Sequence, residues 1–424
     1  MLRPFSFGDG WLDRFMLGLP RRMVGLIVLV GFGGGAVGAA YLLGLHLLQR
    51  VLWPGRWSGA VGFAVLGGVG LFAGLVTRFV GSPGDVELMV DNIHVSGTAT
   101  GLRTLRSLIP ISLLCIASGG AMGPEAPLVQ TAGSAASYVG KRWYPKPREA
   151  RVLTITGMAA AFTVLFGAPI GSAIFALELL HRRGLQYYEA LLPAILGSLA
   201  GYTIYAGLTG AGLAPVWRLP APVAISLGDL GWSIVAGAAG AVVAVAFTYT
   251  SAALRRAARW LRPELRPVLG GLGLAALGLL SAYSLTYGEG QVTQIVEHHG
   301  TVAFFALAAL AKLAGTSITL ASEWRGGFII PLFFIGASLA RALHGAFPGS
   351  HEAILIAALM VAANVGVTKT PLGSTLVITE MGGIRLLPTT LLAAVVALML
   401  TSEVGLIQTQ RERDAIGGPS AGTG

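Results

Sequence analysis

Seven uninterrupted apolar runs decide what this chain can fold into: Met23–Leu48, Gly59–Val76, Leu191–Ala206, Trp232–Ala252, Val302–Leu313, Ala353–Ala363 and Leu386–Leu400. The longer ones reach the roughly 20 residues an α-helix needs to cross hydrocarbon, and the shorter ones fall below that length. The runs are continuously apolar rather than alternating, which argues against a transmembrane β-barrel. Only 11% of the 424 residues are charged and 54% are hydrophobic, whereas about a quarter of a soluble domain is charged. The sequence therefore predicts an all-α polytopic protein, multi-pass in the cell membrane. Its 61 glycines, close to twice the usual share of about 7%, fit helices packed backbone to backbone.

What charge there is sits at the ends of these runs. The net charge is +10, gathered at Arg21–Arg22, Lys141–Arg151, His181–Arg183, Arg255–Arg266 and Arg411–Arg413. The positive-inside rule makes these loops cytoplasmic, and the same charge raises the local concentration of anions near a pore mouth. No segment outside the membrane is long enough to be a basic nucleic-acid module. The single cysteine, Cys115, has no partner for an internal disulfide. Arg3, Asp13 and Arg14 precede an apolar run too long for the core of a signal peptide. The expected organisation is a cytoplasmic tail (1–21), a first membrane half (22–206), a polar, Pro-containing linker (207–229), a second half (230–405) and a short polar tail (406–424) with no regulatory domain.

The two halves resemble each other. Without gaps, MAAAFTVLFGAPIGSAIFALEL (158–179) lies over MVAANVGVTKTPLGSTLVITEM (360–381). Met158/Met360, Ala160/Ala362, Ala161/Ala363, Pro169/Pro371, Gly171/Gly373, Ser172/Ser374 and Glu178/Glu380 coincide. Upstream, PLVQTAGS (127–134) lies over PLFFIGAS (331–338). Repeated halves with Gly/Pro-interrupted apolar segments in matching places mark a transporter-type fold, with the substrate site near the midplane at broken helix ends. An odd number of spans in each half would make the repeats inverted.

Three breaks carry the chemistry: GSPGDVEL (81–88), GAMGPEAP (120–127) and RGGFIIP (325–331). Each opens an apolar helical run. A helix N-terminus offers unpaired N–H donors and partial positive charge, so it is a ready-made anion site. Three such ends meeting at one point would replace an anion's hydration shell. Glu125 lies between Pro124 and Pro127 in the middle break, and a carboxylate inside the membrane is a functional candidate by default. Ionised, it can occupy the anion site as a tethered competitor; protonated, it would release. A plain dipole-complementing glutamate is the alternative.

These motifs carry a resemblance that spans nearly the whole chain in order and spacing. GPEAPLVQ (123–130) resembles the G-[RK]-E-G-P-x-V-Q motif of the CLC family of chloride channels and chloride/proton antiporters. GFIIP (327–331) resembles its G-x-F-x-P motif with the central Phe and Ile exchanged, and GSPGDVEL stands where GSGIPEIE would be. FGAPIGSAIFALEL (166–179) resembles the F-N-x-P-L-[AG]-G-x-x-F-x-x-E-E segment. The resemblance implies an inverted-repeat helical fold, a homodimer in the bilayer with one anion pathway per subunit, and Glu125 as the gating glutamate. It places anion binding at Ser82, Pro83, Gly84, Gly123, Pro124, Gly327, Phe328, Ile329 and Gln408, with no cofactor and no metal.

The departures from the family pattern shape the expected function. The family's internal proton-transfer glutamate falls at Leu179, which favours passive chloride conduction; proton-coupled antiport, or a fluoride- or nitrate-selective member, is the alternative. Glu178, repeated as Glu380, is expected to hold helix ends. The family's central tyrosine falls at Ile407 or Gln408, so that hydroxyl is missing, and either Ser82 or Pro83 takes the place of its serine. The cation that precedes the gating glutamate is here Pro124. Glu297, His298 and His299 are expected in a solvated loop, because the two histidines face different sides of a helix. Arg325 either draws anions inward or pairs with Glu323. Lys369 reaches either the pathway or, by snorkelling, an interface. An intramembrane enzyme using Glu125 would need a partner group; no Gly-x-Ser-x-Gly, H-E-x-x-H or suitable Asp pair occurs, so no enzyme is expected.

Overall fold

A computed structural model describes residues 21–52, 59–144, 146–182, 186–209, 217, 219 and 225–410. The described residues form sixteen α-helices and no strand. The first eight are α1 (Arg21–Leu52), α2 (Gly59–Phe79), α3 (Val86–Ser96), α4 (Leu102–Ala117), α5 (Glu125–Trp143), α6 (Pro147–Phe166), α7 (Pro169–Glu178) and α8 (Leu191–Thr209). The second eight are α9 (Leu227–Ala258), α10 (Arg266–Leu280), α11 (Glu289–Glu297), α12 (Val302–Ala321), α13 (Ile329–Ala346), α14 (Glu352–Thr368), α15 (Pro371–Gly382) and α16 (Leu387–Leu400). All seven apolar runs read from the sequence lie in helices. Among the described residues, eight helical segments are long and apolar enough to cross a membrane, while α7 and α14 are apolar but short.

The packing of the first eight helices recurs in the second. α6 contacts α1, α5 and α8; in the same way α14 contacts α9, α13 and α16. These two helices form the middle of the molecule: every residue from Ala353 to Thr368 is buried, as are Val152 to Phe166. Outer helices instead carry exposed Leu29, Leu43, Leu71, Val242 and Leu279, the apolar face that hydrocarbon covers.

Two contacts between the halves reveal their relation. Gly123 and Gly327 form an isolated antiparallel bridge, in which the Gly123 N–H donates to Gly327 O at 2.7 Å and the Gly327 N–H to Gly123 O at 2.6 Å. The second contact exchanges caps. Glu178, at the end of α7, accepts from the Gly373 N–H at 2.7 Å and the Leu372 N–H at 3.3 Å, in the first turn of α15. Glu380, near the end of α15, accepts from the Gly171 N–H at 2.8 Å in the first turn of α7. Each carboxylate meets orphan N–H donors of the partner helix, so Glu178 and Glu380 hold helix ends. The same exchange fixes α7 and α15 as antiparallel. A two-fold axis relating antiparallel membrane helices lies in the membrane plane, which is an inverted repeat.

Most of the expected linker, and the tails 1–20 and 411–424, lie outside the described residues. Trp217, within the linker, is buried and donates from Nε1 to Glu289 O at 3.0 Å. The tail expected from residue 406 does not begin there: Leu406, Ile407 and Gln410 are buried, and Thr409 Oγ1 donates to Glu87 O at 2.9 Å.

Candidate functional site

The chain breaks at all three predicted places, and the helices that follow start on one small cavity. Val86 opens α3, Glu125 and Ala126 open α5, and Ile329 opens α13; all four line a small space of about 20 Å³. The rest of the wall is Met89, Val129, Phe162, Leu179, Gly327, Phe328, Thr368 and Ile407. A space of that size holds about one water-sized particle, since one probe sphere needs roughly 10–15 Å³. An ion here would therefore be stripped of its hydration shell and faced by the positive ends of three helices.

Glu125 projects into this space. Its side chain is 0% exposed, and Oε1 accepts from the Ile330 N–H at 2.5 Å, in the first turn of α13. Among the described residues Oε2 has no hydrogen-bond partner. A carboxylate of one half is thus held by the helix N-terminus of the other. The bridge glycines make room for it: a Cβ built on Gly123 would lie 2.2 Å from Oε2, and one on Gly327 2.5 Å from it. A side chain at either position would overlap the space the carboxylate and the cavity now share.

On one side the small cavity abuts a vestibule of about 400 Å³, and Val86, Ala126, Phe328 and Ile407 line both. The vestibule contains Ser82 and Arg259, both exposed, and lies on the face carrying the Arg255–Arg266 loop. A third cavity, of about 310 Å³, is lined by Arg182, Lys369, Glu403, Gly405, Ile407, Gln408 and Gln410. Ile407 thus separates all three spaces. Three residues on, Gln410 Nε2 ties the segment down by donating to Leu179 O at 2.9 Å and Thr368 O at 2.8 Å.

Residues 69–402 match the profile described as "Voltage gated chloride channel". The chain belongs to that family, the CLC family. It is 26% identical over 414 residues to a protein of Pseudomonas syringae pv. tomato described as "Chloride/fluoride channel protein", covering 92% of this chain and 86% of that one. It is 28% identical over 341 residues to the "Putative ion-transport protein YfeO" of Escherichia coli K12, covering 76% and 79%. Its fold matches a crystal structure of a CLC-type fluoride/proton antiporter with a TM-score of 0.82 at 23% identity, covering 96% of this chain and all of that one. It also matches a slow cyanobacterial Cl⁻/H⁺ antiporter at 0.79 and 20% identity, covering 91% and 95%. The chain is a CLC-type anion transport protein of the membrane.

The CLC signature residues do not all meet at one point. Gly123, Glu125, Gly327, Phe328 and Ile329 surround the small cavity or its bridge, and Pro124 is the N-cap of α5. Ser82 and Gly84 line the vestibule instead, with the Gly84 N–H donating to Ser82 Oγ at 3.4 Å. Pro83 is buried and lines none of the three cavities described. Gln408 faces the third cavity, so the residue in the central-tyrosine place that looks into the small cavity is Ile407. The chain bends and turns through residues 406–409, and there only Ile407 of the two reaches the small cavity, although both border the third. Sequence reasoning missed Ile330, the actual donor to Glu125; its signal was the break at 325–331, because first-turn N–H groups are the unpaired ones.

The remaining candidates resolve similarly. Glu297, His298 and His299 are exposed where α11 ends, and no group of metal ligands occurs among the described residues. Lys369 does not snorkel. It is 1% exposed and donates from Nζ to Gly366 O at 2.7 Å, Thr401 O at 2.5 Å and Thr401 Oγ1 at 2.8 Å. Glu323 pairs with Arg266 at 2.6 Å rather than with the neighbouring Arg325.

Proposed function

We propose that the small cavity is the dehydrated anion site and that Glu125 is its gate. The observation that carries this reading is the carboxylate itself: it is bound by an α13 N–H inside a space on which three helix N-termini converge. Ionised, it competes with a chloride-sized anion for the same donors. Protonated, it loses the charge that holds it, swings aside, and admits the anion from the vestibule past Phe328 and Ile407. Transport, and not catalysis, is the work of this site.

Passive conduction is the favoured mode. Leu179 borders the cavity together with Phe162 and Ile407, and none of these side chains can carry a proton inward from Glu125. A second reading, proton-coupled exchange, is supported by the two antiporters that share the fold; fluoride as the preferred ion is supported by the small size of the site and by the description of the Pseudomonas relative. The chain is further proposed to act as a homodimer with one such pathway in each subunit. Liposomes loaded with potassium chloride or fluoride test these readings. Under a chloride gradient, passive conduction gives anion flux with no net proton movement, and uphill proton movement would reject it in favour of exchange. No flux of either anion would reject the transport reading of the site.

A further inference from the structure

The vestibule contains four arginines, and the structure assigns one of them to the ion. Its three carboxylates are already engaged. Glu323 pairs with Arg266 at 2.6 Å, Glu87 lies 3.9 Å from Arg255, and Asp85 caps α3 by accepting from the Leu88 N–H at 2.9 Å. Arg259 is exposed and solvated. That leaves Arg325, which is half-buried in the vestibule wall; the Asp85 and Glu323 carboxylates act on it electrostatically, but among the described residues none lies within ion-pairing distance of it.

Its backbone is fixed from both sides. The chain reverses at Glu323, which adopts a left-handed φ of 64°. Trp324 is buried and donates from Nε1 to Pro267 O at 2.8 Å. Two residues after Arg325 comes Gly327 and its bridge to Gly123. The guanidinium is therefore presented on a rigid support to a space that opens to solvent and ends at Phe328 and Ile407. The break that carries Glu125 has Pro124 before the glutamate, so it supplies no cation of its own there. The opposite break supplies one.

We propose that Arg325 is an anion-capture residue: it holds a partly hydrated monovalent inorganic anion in the vestibule and feeds it to the site at Glu125. A guanidinium without a carboxylate partner keeps its donors free for an anion, whereas the paired arginines of the same wall do not. This inference rests on the anion-transport reading and is tested apart from it.

Two measurements decide it. In liposomes of fixed orientation, chloride flux is followed against chloride concentration on the vestibule side for wild type, Arg325→Gln and Arg325→Lys. Arg325→Gln raises the half-saturating concentration about tenfold, as expected from losing one unpaired charge near the pathway, and leaves the maximal rate unchanged. The gap shrinks as impermeant salt rises to about 1 M, where the screening length falls to roughly 3 Å. Arg325→Lys restores most of the wild-type value. The second measurement needs no variant: bromide-soaked crystals of the wild type show an anomalous peak beside the Arg325 guanidinium. Half-saturation unchanged in Arg325→Gln, or bromide absent from the vestibule while wild type conducts, overturns the proposal and leaves the transport reading standing. A wild type that moves no anion brings down both.

Discussion

Truncating Glu178 and its repeat partner Glu380 to alanine should have very different effects, although both cap the other half's helix. Glu178 is 0% exposed, and its two oxygens accept from the Gly373 and Leu372 N–H groups at 2.7 and 3.3 Å. Those donors lie in the first turn of α15 and have no intrahelical acceptor. Leaving a buried donor unpaired costs about 1–3 kcal/mol. With one short bond and one long one, Glu178→Ala should lose about 2–4 kcal/mol. Glu380 is exposed, and its short bond to the Gly171 N–H at 2.8 Å is only partly buried. Glu380→Ala should then lose about 0.5–1 kcal/mol, the low end of a helix-cap deletion. The assay is the fraction of folded protein surviving a temperature ramp in detergent, read by size-exclusion chromatography. Glu178→Ala should melt well below Glu380→Ala, and Glu178→Gln between Glu178→Ala and wild type, because the amide oxygen still accepts one N–H. Equal melting shifts would refute the capping argument, as would a Glu178→Ala protein of wild-type stability with altered anion flux.

Two further substitutions probe the cavity itself. Gly327→Ala places a methyl group 2.5 Å from Glu125 Oε2 and within a space of about 20 Å³; flux should fall at least tenfold and the protein should lose about 1–3 kcal/mol from overpacking, and unchanged flux would mean the ion passes elsewhere. Ile407→Ala removes the wall shared by the three cavities; flux should rise several-fold while stability drops by about 2–5 kcal/mol, and flux equal to wild type would show that Ile407 is not the barrier.

Much of this was legible in the sequence because the repeat is imperfect but in register. The alignment of Pro127 with Pro331 already sets Gly123 opposite Gly327, both offset by 204 residues, and the structure joins that pair in a symmetric bridge. The match of Glu178 with Glu380 likewise foretold two equivalent caps. Glu125 stood out because a charge amid apolar residues and prolines needs a reason. The short helices α3, α11, α7 and α15 were harder, since none is long enough to give a hydropathy signal. The partners of Glu125 and Glu323 were beyond reach for a different reason. Ile330 lies 205 residues from Glu125 in the chain, and whether Glu323 pairs with Arg325 or with Arg266 depends on how α10 docks against α12. The choice between Ile407 and Gln408 needed the local backbone direction, which composition does not carry.

The decisive test of the gate is chloride efflux from liposomes measured across pH 4 to 8 for wild type and for Glu125→Gln. A neutral amide gains no proton at acid pH and loses none at alkaline pH, so the variant should conduct at one rate throughout, at or above the acid rate of wild type, while wild type accelerates as pH falls. A Glu125→Gln protein that still follows the wild-type pH curve, or a wild type indifferent to pH, would mean that the carboxylate at residue 125 does not block the ion.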